Sequence, residues 1–414
     1  MSHSRNNSQK LLQWRLECLG HSLLEGLTRL LPGAWLFRLG EALGGLVWHF
    51  MPLRREMILR NLRIAFAGEK NLAELRLMAK ATFRRTGGNL ISAAHTARLT
   101  PAQLGKVIHI ENLALLEAAL ADGHGVVLLL AHMGNWEVLS RLVHLFPKGS
   151  RAGAFYRPLN NTLLDEQVLK RRQADGTRMF SKRDNPLHVA SFLRQGGIVG
   201  ILADQRVGVH GEAVSFFGRL TRVSPLPSLL ARRSKSVVLA LAVTTVKPGQ
   251  WQAVFMPVES PPTTANCMVA LERAMRAGPL DVFWFQERWK LYVRPPETIQ
   301  DWLGSATARG DKPHRVLIWL AGAASDWQLP EAWTHPDVVY EVALPAGRAL
   351  PGWLPASTRV HPVGAGSDRA TLLQSIRSID ESAALPLDFI LTTGPSEALT
   401  DAARRVAVPV LSLP

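Results

Sequence analysis

The chain has 414 residues and carries 48 lysine and arginine against 33 aspartate and glutamate side chains, a formal net charge of +15 at pH 7. This length exceeds the usual size of one hydrophobic core, so one large domain and a smaller one are expected. The two cysteines, Cys18 and Cys267, stand far apart without neighbouring metal-ligand spacing. They imply no disulfide framework and no structural zinc site, which agrees with a reducing compartment.

The positive charge is distributed unevenly along the chain. The first 309 residues hold 40 basic and 22 acidic side chains, a balance of +18, whereas the remainder holds 8 and 11, a balance of −3. A basic body attracts anionic partners such as nucleic acids, anionic membrane surfaces and acidic carrier proteins. The sequence has no zinc-finger spacing, RNP-like segment or basic region with heptads, so we expect no nucleic-acid partner.

The N-terminal region is apolar but interrupted by charges. Residues 11–31 and 34–51 predict two helices separated at Pro32, and neither offers the roughly 20 mostly uncharged residues of a membrane-spanning helix. Their pattern is typical of amphipathic helices that lie in a membrane interface. The alternative is that they pack on the protein's own domain. We assign residues 1–53 to a membrane-associating helical segment.

Helical and apolar segments alternate in the rest of the chain. Residues 72–95 and 109–123 predict helices, the second ending at a glycine. Continuous apolar runs at residues 125–130, 196–204 and 236–246 are typical of strands that are covered on both faces. This alternation predicts an α/β fold with a mixed sheet flanked by helices.

One segment, GVVLLLAHMGNWEVL at residues 125–139, combines an apolar run with polar chemistry. It predicts a buried strand that ends at His132, a tight turn at Gly134, and Glu137 in the first turn of a helix. An imidazole at the rim of a sheet, with a carboxylate to hold its tautomer, is suited to general-base activation of a hydroxyl. We predict His132 as the base and Glu137 as its partner. The alternative on this segment alone is a structural histidine.

Several segments in chain order resemble motifs of the bacterial lipid A biosynthesis acyltransferases, the lauroyl and myristoyl transferases of the glycerolipid acyltransferase superfamily. They are RREMILRNLRIAF (54–66), AHMGNWE (131–137), FYRPLNN (155–161), ILADQR (201–206), SFFGRLTRVSPLPSLLARRS (215–234) and FWFQERWK (283–290). Gln286 stands where the family usually has histidine, which argues against proton transfer at that position. The α/β fold of this family agrees with the predicted architecture.

The resemblance implies transfer of a fatty acyl chain from an acyl carrier protein thioester to a hydroxyl of a lipid A precursor. It implies no metal, and no cofactor beyond the phosphopantetheine arm of the donor. The implied partners are acyl carrier protein, an anionic glycolipid and a membrane surface. The implied location is the cytoplasmic face of the bacterial inner membrane, with peripheral attachment or a single N-terminal anchor. The matching positions expected to bind substrate are Asn135, Trp136, Arg157, Asp204, Gln205, Phe217, Gly218 and Arg288.

Some of these assignments have structural alternatives. Asp204 and Gln205 end an apolar strand, where α/β sheets present functional groups, but a helix cap or a loop hydrogen bond explains them equally well. Arg157 suits either a phosphate or a structural salt bridge. Phe217 belongs to a pair of phenylalanines that could be plain core.

The polar, proline-containing run at residues 294–314 places a domain boundary near residue 305. Residues 54–304 are then an acyltransferase domain, and residues 305–414 a small α/β module that closes with strand, helix and strand and lies outside the resemblance.

Two functional alternatives remain open. One is an acyltransferase for another acceptor, such as a lyso-lipid or an amino-acid lipid. The other is a catalytically retired membrane-surface binding protein whose C-terminal module is the working part.

Overall fold

The computed structural model describes residues 2–28, 30–156, 158–181, 184–291, 297–304, 309–320, 327–355, 357–364 and 368–413. The chain divides into two compact units. The first unit comprises Met1–Trp48, Ala81–Asp204 and Ser224–Phe283, and the second comprises His49–Lys80, Gln205–Val223 and Trp284–Pro414.

The elements follow one another as helices and strands along both units. The helices are α1 (Ser2–Leu27), α2 (Gly33–Phe50), α3 (Pro52–Ala65), α4 (Leu72–Thr96), α5 (Pro101–Val107), α6 (Leu113–Ala121), α7 (Thr162–Gln173), α8 (Pro186–Arg194), α9 (Leu226–Ser234), α10 (Thr264–Ala277), α11 (Ile299–Leu303), α12 (Arg369–Glu381) and α13 (Glu397–Arg405), with 3₁₀ helices at Trp136–Leu145 and Glu331–Trp333. The strands are β1 (Ile108–Glu111), β2 (Val126–Leu130), β3 (Ala152–Phe155), β4 (Arg178–Phe180), β5 (Ile198–Leu202), β6 (Glu212–Phe216), β7 (Arg219–Val223), β8 (Val237–Lys247), β9 (Gln250–Pro257), β10 (His314–Trp319), β11 (Val338–Pro345), β12 (Arg359–Val363), β13 (Phe389–Thr392) and β14 (Val410–Ser412).

A seven-stranded mixed sheet forms the centre of the first unit, in the order β1-β9-β8-β2-β5-β3-β4. Strands β8 and β9 are antiparallel, and the other neighbours are parallel. All five residues of β2 are buried, because this strand has parallel partners on both sides and helices cover the sheet. The predicted mixed sheet flanked by helices is confirmed, and β2, β5 and β8 correspond to the three predicted apolar strands.

The helix predicted over residues 109–123 is wrong at its beginning. Residues Ile108–Glu111 form the edge strand β1, which pairs in parallel with β9, and the helix begins only at Leu113. Asn112 separates the two in a left-handed conformation with φ 58°. A tertiary partner therefore overrides the local helical pattern, which no periodicity within the segment could indicate.

Helix α2 packs closely on α4 through glycines. A Cβ on Gly40 would lie 2.3 Å from the carbonyl oxygen of Gly87, so a side chain at Gly40 would separate the two helices. Leu36 and Phe37 of α2 are buried, whereas Trp35 and Leu43 are exposed. No helix among the described residues is long and apolar enough to span a membrane.

The second unit contains a five-stranded sheet in the order β12-β11-β10-β13-β14, with every neighbouring pair parallel. The predicted closing segment of strand, helix and strand is present as β13, α13 and β14. Leu220 of β7 and Trp302 of α11 share a hydrophobic cluster with Val316 and Phe389 of this sheet. The two compact units therefore do not divide near residue 305. The functional assignment of the three predicted segments stays a prediction.

Buried charges tie helix α3 and the hairpin of β6 and β7 to the C-terminal part of the second unit. Arg63 of α3 forms an ion pair with Asp380, and the fully buried Arg219 of β7 pairs with Asp388. Burial by itself raises the pKa of the Asp388 carboxyl, but the charges of Arg219 and His314 outweigh it and lower the pKa to about 2. Breaking such a pair would leave a buried charge unbalanced, so removal of one partner should strongly destabilise the second unit.

Candidate active site

His132 and Asp204 come together because β2 and β5 are neighbouring parallel strands. Leu130 pairs with Leu202 in the sheet, and each polar residue follows two positions beyond its strand. The ring Nδ1 of His132 lies 2.7 Å from Oδ1 of Asp204. The Asp204 side chain is fully buried and that of His132 is 15% exposed. The carboxyl ends of parallel strands thus assemble an imidazole and a carboxylate at one sheet edge.

This contact gives the two ring nitrogens different tasks. A carboxylate accepts a hydrogen bond, so Nδ1 carries the ring proton and donates a hydrogen bond to Asp204. In the neutral ring Nε2 then holds the lone pair, the form that a general base requires. The Trp136 ring meets the imidazole edge to face, with 5.8 Å between centroids, and lies 5.3 Å from the Phe283 ring. These two aromatic side chains form a wall beside the histidine.

The backbone around His132 is fastened on both sides. The Phe283 amide donates to the His132 carbonyl at 2.8 Å, and the Gly134 amide donates to the Asp281 carbonyl at 2.9 Å. Gly134 has φ +56°, and a Cβ there would lie 2.4 Å from the carbonyl oxygen of Val243. The turn therefore requires glycine, as the sequence predicts, and the close approach is to a neighbouring strand.

The Asp281 side chain anchors the segment that holds His132. Its carboxylate accepts hydrogen bonds from Asn89 Nδ2 at 3.0 Å and from the Thr245 amide at 2.9 Å. The side-chain oxygen Oδ1 of Asn89 accepts in turn from Trp251 Nε1 at 2.7 Å. This buried network connects α4, β8 and β9 to the loop that carries Phe283, so it fixes the position of the His132 backbone.

The side chain of Glu137 contacts a residue other than His132. It lies in the first turn of the 3₁₀ helix as expected, but its two carboxylate oxygens accept from Arg172 Nη2 of α7 at 2.9 and 2.7 Å. Within the described ranges, no hydrogen bond or ion pair joins Glu137 to His132. The carboxylate that holds the ring is Asp204, because sheet topology brings it there, whereas Glu137 projects toward α7. A direct catalytic role of Glu137 stays a prediction.

The structure describes two other predicted residues of the first unit, Asn135 and Trp136. Asn135 is buried and donates from Nδ2 to Thr96 Oγ1 at 2.9 Å, which fastens the turn to the end of α4. Trp136 is half-buried beside the histidine. Arg157 lies outside the described residues.

No cluster of three or more His, Cys, Asp or Glu side chains suited to a metal ion occurs among the side chains that the structure describes.

Four predicted residues belong to the second unit. Gln205 is exposed at the end of the segment that carries Asp204. Phe217 is 1% exposed and packs against the rings of Phe66, Phe216, Trp284 and Trp289. The Gly218 carbonyl accepts from the Lys312 amide at 2.7 Å. Arg288 is buried with its guanidinium 5.3 Å from the centre of the Trp284 ring. Within this unit, Phe217 and Arg288 are therefore parts of an aromatic core.

Comparison of the sequence with known proteins identifies the family to which the chain belongs. The sequence profile of the bacterial lipid A biosynthesis acyltransferases matches residues 4–291. The chain belongs to this family. It is also 24% identical over 273 residues to the lipid A biosynthesis lauroyltransferase of Escherichia coli (strain K12), covering 63% of this chain and 87% of that protein. The resemblance found in the sequence is confirmed, and the family indicates acyltransferase activity.

The match to the acyltransferase family ends before β10, so strands β10 to β14 lie outside it. Asn61, from the first family-like segment, donates to the carbonyls of Trp284 and Gln286 in the last one at 2.7 and 2.6 Å. These two segments therefore meet in the second unit. Gln286 takes part in this contact through its backbone, which any residue type would allow.

Sequence reasoning missed Asp281 and Arg172 in this acyltransferase. Asp281 is a single aspartate in a loop, and only its tertiary partners give it importance. Arg172 belongs to a basic run on α7 that looks like a solvated helix face. The pairing of His132 with Asp204 had a usable signal, since both residues follow apolar strands by two positions and parallel strands place such residues at one edge.

Proposed function

We propose that this acyltransferase moves a fatty acyl chain from an acyl carrier protein thioester to a hydroxyl of a lipid A precursor, with His132 as general base. The observation that carries the proposal is the Asp204-held imidazole at the carboxyl edge of the central sheet. Membership of the family and the similarity to a lipid A biosynthesis lauroyltransferase support the acceptor class. The basic balance of the first 309 residues would suit both an acidic carrier and a phosphorylated glycolipid.

The proposed reaction needs one proton acceptor and one positioned thioester. Nε2 of His132 takes the proton from the acceptor hydroxyl as its oxygen attacks the thioester carbon. The carbon–sulfur bond then breaks, and the imidazolium returns the proton to the departing thiolate of the phosphopantetheine arm. The products are an ester and the free carrier thiol. Asp204 would stabilise the positive ring between the two steps, and the protein itself would need no cofactor.

We further propose that helices α1 and α2 bind the cytoplasmic face of the bacterial inner membrane, as a peripheral attachment or a single N-terminal anchor. Large apolar side chains are exposed along both helices, and Arg15 and Arg38 are exposed among them. The exposed apolar residues are Leu11, Leu12, Leu16, Leu19 and Leu23 on α1, and Trp35, Leu39, Leu43, Leu46, Val47 and Phe50 on α2. Buried apolar area together with arginine attraction to anionic lipids would give such binding.

Vesicle flotation tests this attachment. We expect the protein to float with phosphatidylglycerol vesicles, and Leu16→Glu combined with Leu43→Glu to reduce the bound fraction. Leu187→Glu is the matched control, because Leu187 is similarly exposed at 55% but lies on α8. Equal binding of the double variant and the wild type would contradict the assignment.

Acyl transfer itself is tested with purified protein, acyl carrier protein thioesters of several chain lengths and a Kdo-bearing lipid A precursor. We expect a mass increase of one acyl chain on the acceptor. His132→Ala should lower kcat by about 10³-fold or more, since the base is lost. Full activity of His132→Ala would overturn the mechanism. Transfer only to a lyso-lipid or an amino-acid lipid would show that the proposed acceptor is wrong and that the acyltransferase activity is right. Vesicle binding without transfer to any acceptor would favour a retired membrane-binding protein.

A further inference from the structure

We propose that a row of cationic side chains at the amino edge of the central sheet binds an acidic helix of another protein. The members of this row, called the arginine row below, are all exposed and all belong to the first unit. They are Arg151, Arg178, Arg194, Arg232, Arg233 and Lys235. The proposed acyl transfer uses none of these side chains, so the inference goes beyond the proposed function and does not depend on His132.

The topology of the sheet brings the arginine row together. Arg151 directly precedes β3, Arg178 is the first residue of β4, and Arg194 ends α8 shortly before β5. Arg232 and Arg233 lie in the last turn of α9, ahead of β8. These four strands run parallel to one another and to β2, so the ends at which they begin lie along one edge. From β8 to β4 the sheet has four strand intervals, which span about 19 Å.

Several side chains of the arginine row are held in place although they are exposed. The guanidinium carbons of Arg151 and Arg178 lie 5.0 and 6.0 Å from the centre of the same ring, that of Phe192. Arg194 Nη1 donates to the Arg233 carbonyl at 3.2 Å, which joins the ends of α8 and α9. Side chains that are already ordered lose less conformational entropy when a partner binds.

The arginine row concentrates positive charge on one edge. Among the residues that the structure describes, no aspartate or glutamate forms an ion pair with any of the six cations. The exposed Asp122, ahead of β2, is on the same edge. Arg194 and Arg233 complement the dipoles of α8 and α9, but Arg151 and Arg178 lie in no helix. Neighbouring like charges repel one another, so this concentration favours an anionic partner.

An acidic helix fits the arginine row better than a lipid surface does. A guanidinium pairs with a carboxylate through two parallel hydrogen bonds. A row of about 19 Å matches about thirteen residues of α-helix, whose three to four turns present about four carboxylates on one face. Binding to a lipid interface also uses exposed apolar side chains, as on α1 and α2. None of the described residues that flank the six cations in sequence is a large exposed apolar residue.

The arginine row is separate from the edge of the sheet that carries His132. The histidine follows the carboxyl end of β2, and the six residue steps from Val126 to His132 span about 20 Å. A helix bound at the amino edge therefore leaves the histidine uncovered. Its binding should not compete with the acyl carrier protein thioester that the proposed function requires.

Fluorescence anisotropy with full-length protein tests the proposal. The probe is a labelled alanine-based helical peptide of about 20 residues with all its glutamates on one face. We expect saturable binding that weakens with salt, because screening reduces attraction between exposed charges. Arg151→Glu combined with Arg194→Glu should weaken the Kd about tenfold or more. The matched control, Lys106→Glu combined with Lys247→Glu, has the same change of charge on exposed residues outside the row and should stay within about twofold of the wild type.

Thermal unfolding of each variant is the control for folding. If the double glutamate variant unfolds, Arg151→Gln combined with Arg194→Gln replaces it and should weaken binding about threefold or more. Equal weakening in the control variant would overturn the proposal, since general charge attraction would then explain binding. Equal binding of a peptide with the same glutamates spread around the helix would also overturn it.

Two further measurements distinguish other occupants of the arginine row. The double glutamate variant should keep the wild-type affinity for phosphatidylglycerol vesicles and the wild-type KM for the acyl carrier protein thioester. Loss of vesicle binding with unchanged peptide binding would assign the row to a lipid surface and contradict the proposal. A raised KM would assign it to the thioester donor and contradict a separate partner. An inactive wild type would refute the proposed function and leave the peptide measurement valid.

Discussion

Gly134 turns the chain directly after His132, and its replacement by alanine has consequences that follow from the geometry. A non-glycine residue at φ +56° costs about 1–2 kcal/mol in backbone strain. The new Cβ would also stand 2.4 Å from the Val243 carbonyl oxygen, whereas ordinary contacts begin at 3.4 Å, so something must move by about 1 Å. Overpacking of this kind costs about 1–3 kcal/mol more. The free energy of unfolding should therefore fall by about 2–5 kcal/mol.

Activity should fall as well, because the displaced segment carries the imidazole. A misplacement of about 1 Å at a catalytic group can lower the rate about 10²-fold. Gly123→Ala is the matched control. Gly123 has φ +75° and would meet no atom within 4 Å, so its alanine variant carries the strain without the clash. Denaturant unfolding and the acyl-transfer assay on both variants separate the two effects. Wild-type kcat in Gly134→Ala, or an equal loss of kcat in Gly123→Ala, would refute this reasoning.

Two further substitutions probe the rest of the molecule. Burial by itself raises the pKa of the Glu341 carboxyl, but hydrogen bonds from His361 and Arg315 outweigh it and lower the pKa from 4.5 to about 2. This stabilisation of up to about 3 kcal/mol is present above pH 4.5 and is lost as the pH falls toward 2, so Glu341→Gln should destabilise strongly at neutral pH and little near pH 2 in denaturant titrations. A destabilisation independent of pH would contradict that account. Asp281→Asn loses an acceptor for Asn89 or for the Thr245 amide, and should lower the unfolding free energy by about 1–3 kcal/mol and kcat with it. Unchanged kcat in a destabilised Asp281→Asn would show that the network does not position the histidine.

The sequence by itself determined the elements that carry the site. Continuous apolar runs identified β2, β5 and β8, because strands covered on both faces exclude polar side chains. The segment around His132 indicated the strand, the turn at Gly134 and the helical start at Trp136, and the family-like motifs identified the acyltransferase family. These are local properties, since propensity, periodicity and turn chemistry act over a few residues.

Only the tertiary structure decided which of these elements are neighbours. His132 and Glu137 are five positions apart, yet Glu137 pairs with Arg172, because closeness along the chain does not fix the direction of a side chain. Asp204 is 72 positions away and contacts the ring at 2.7 Å, because β5 lies beside β2 in the sheet. Strand order depends on how all apolar surfaces are buried together, which no single segment encodes. The sequence alone therefore predicted a histidine at the end of a strand. The order of the strands in the sheet determined which carboxylate contacts it.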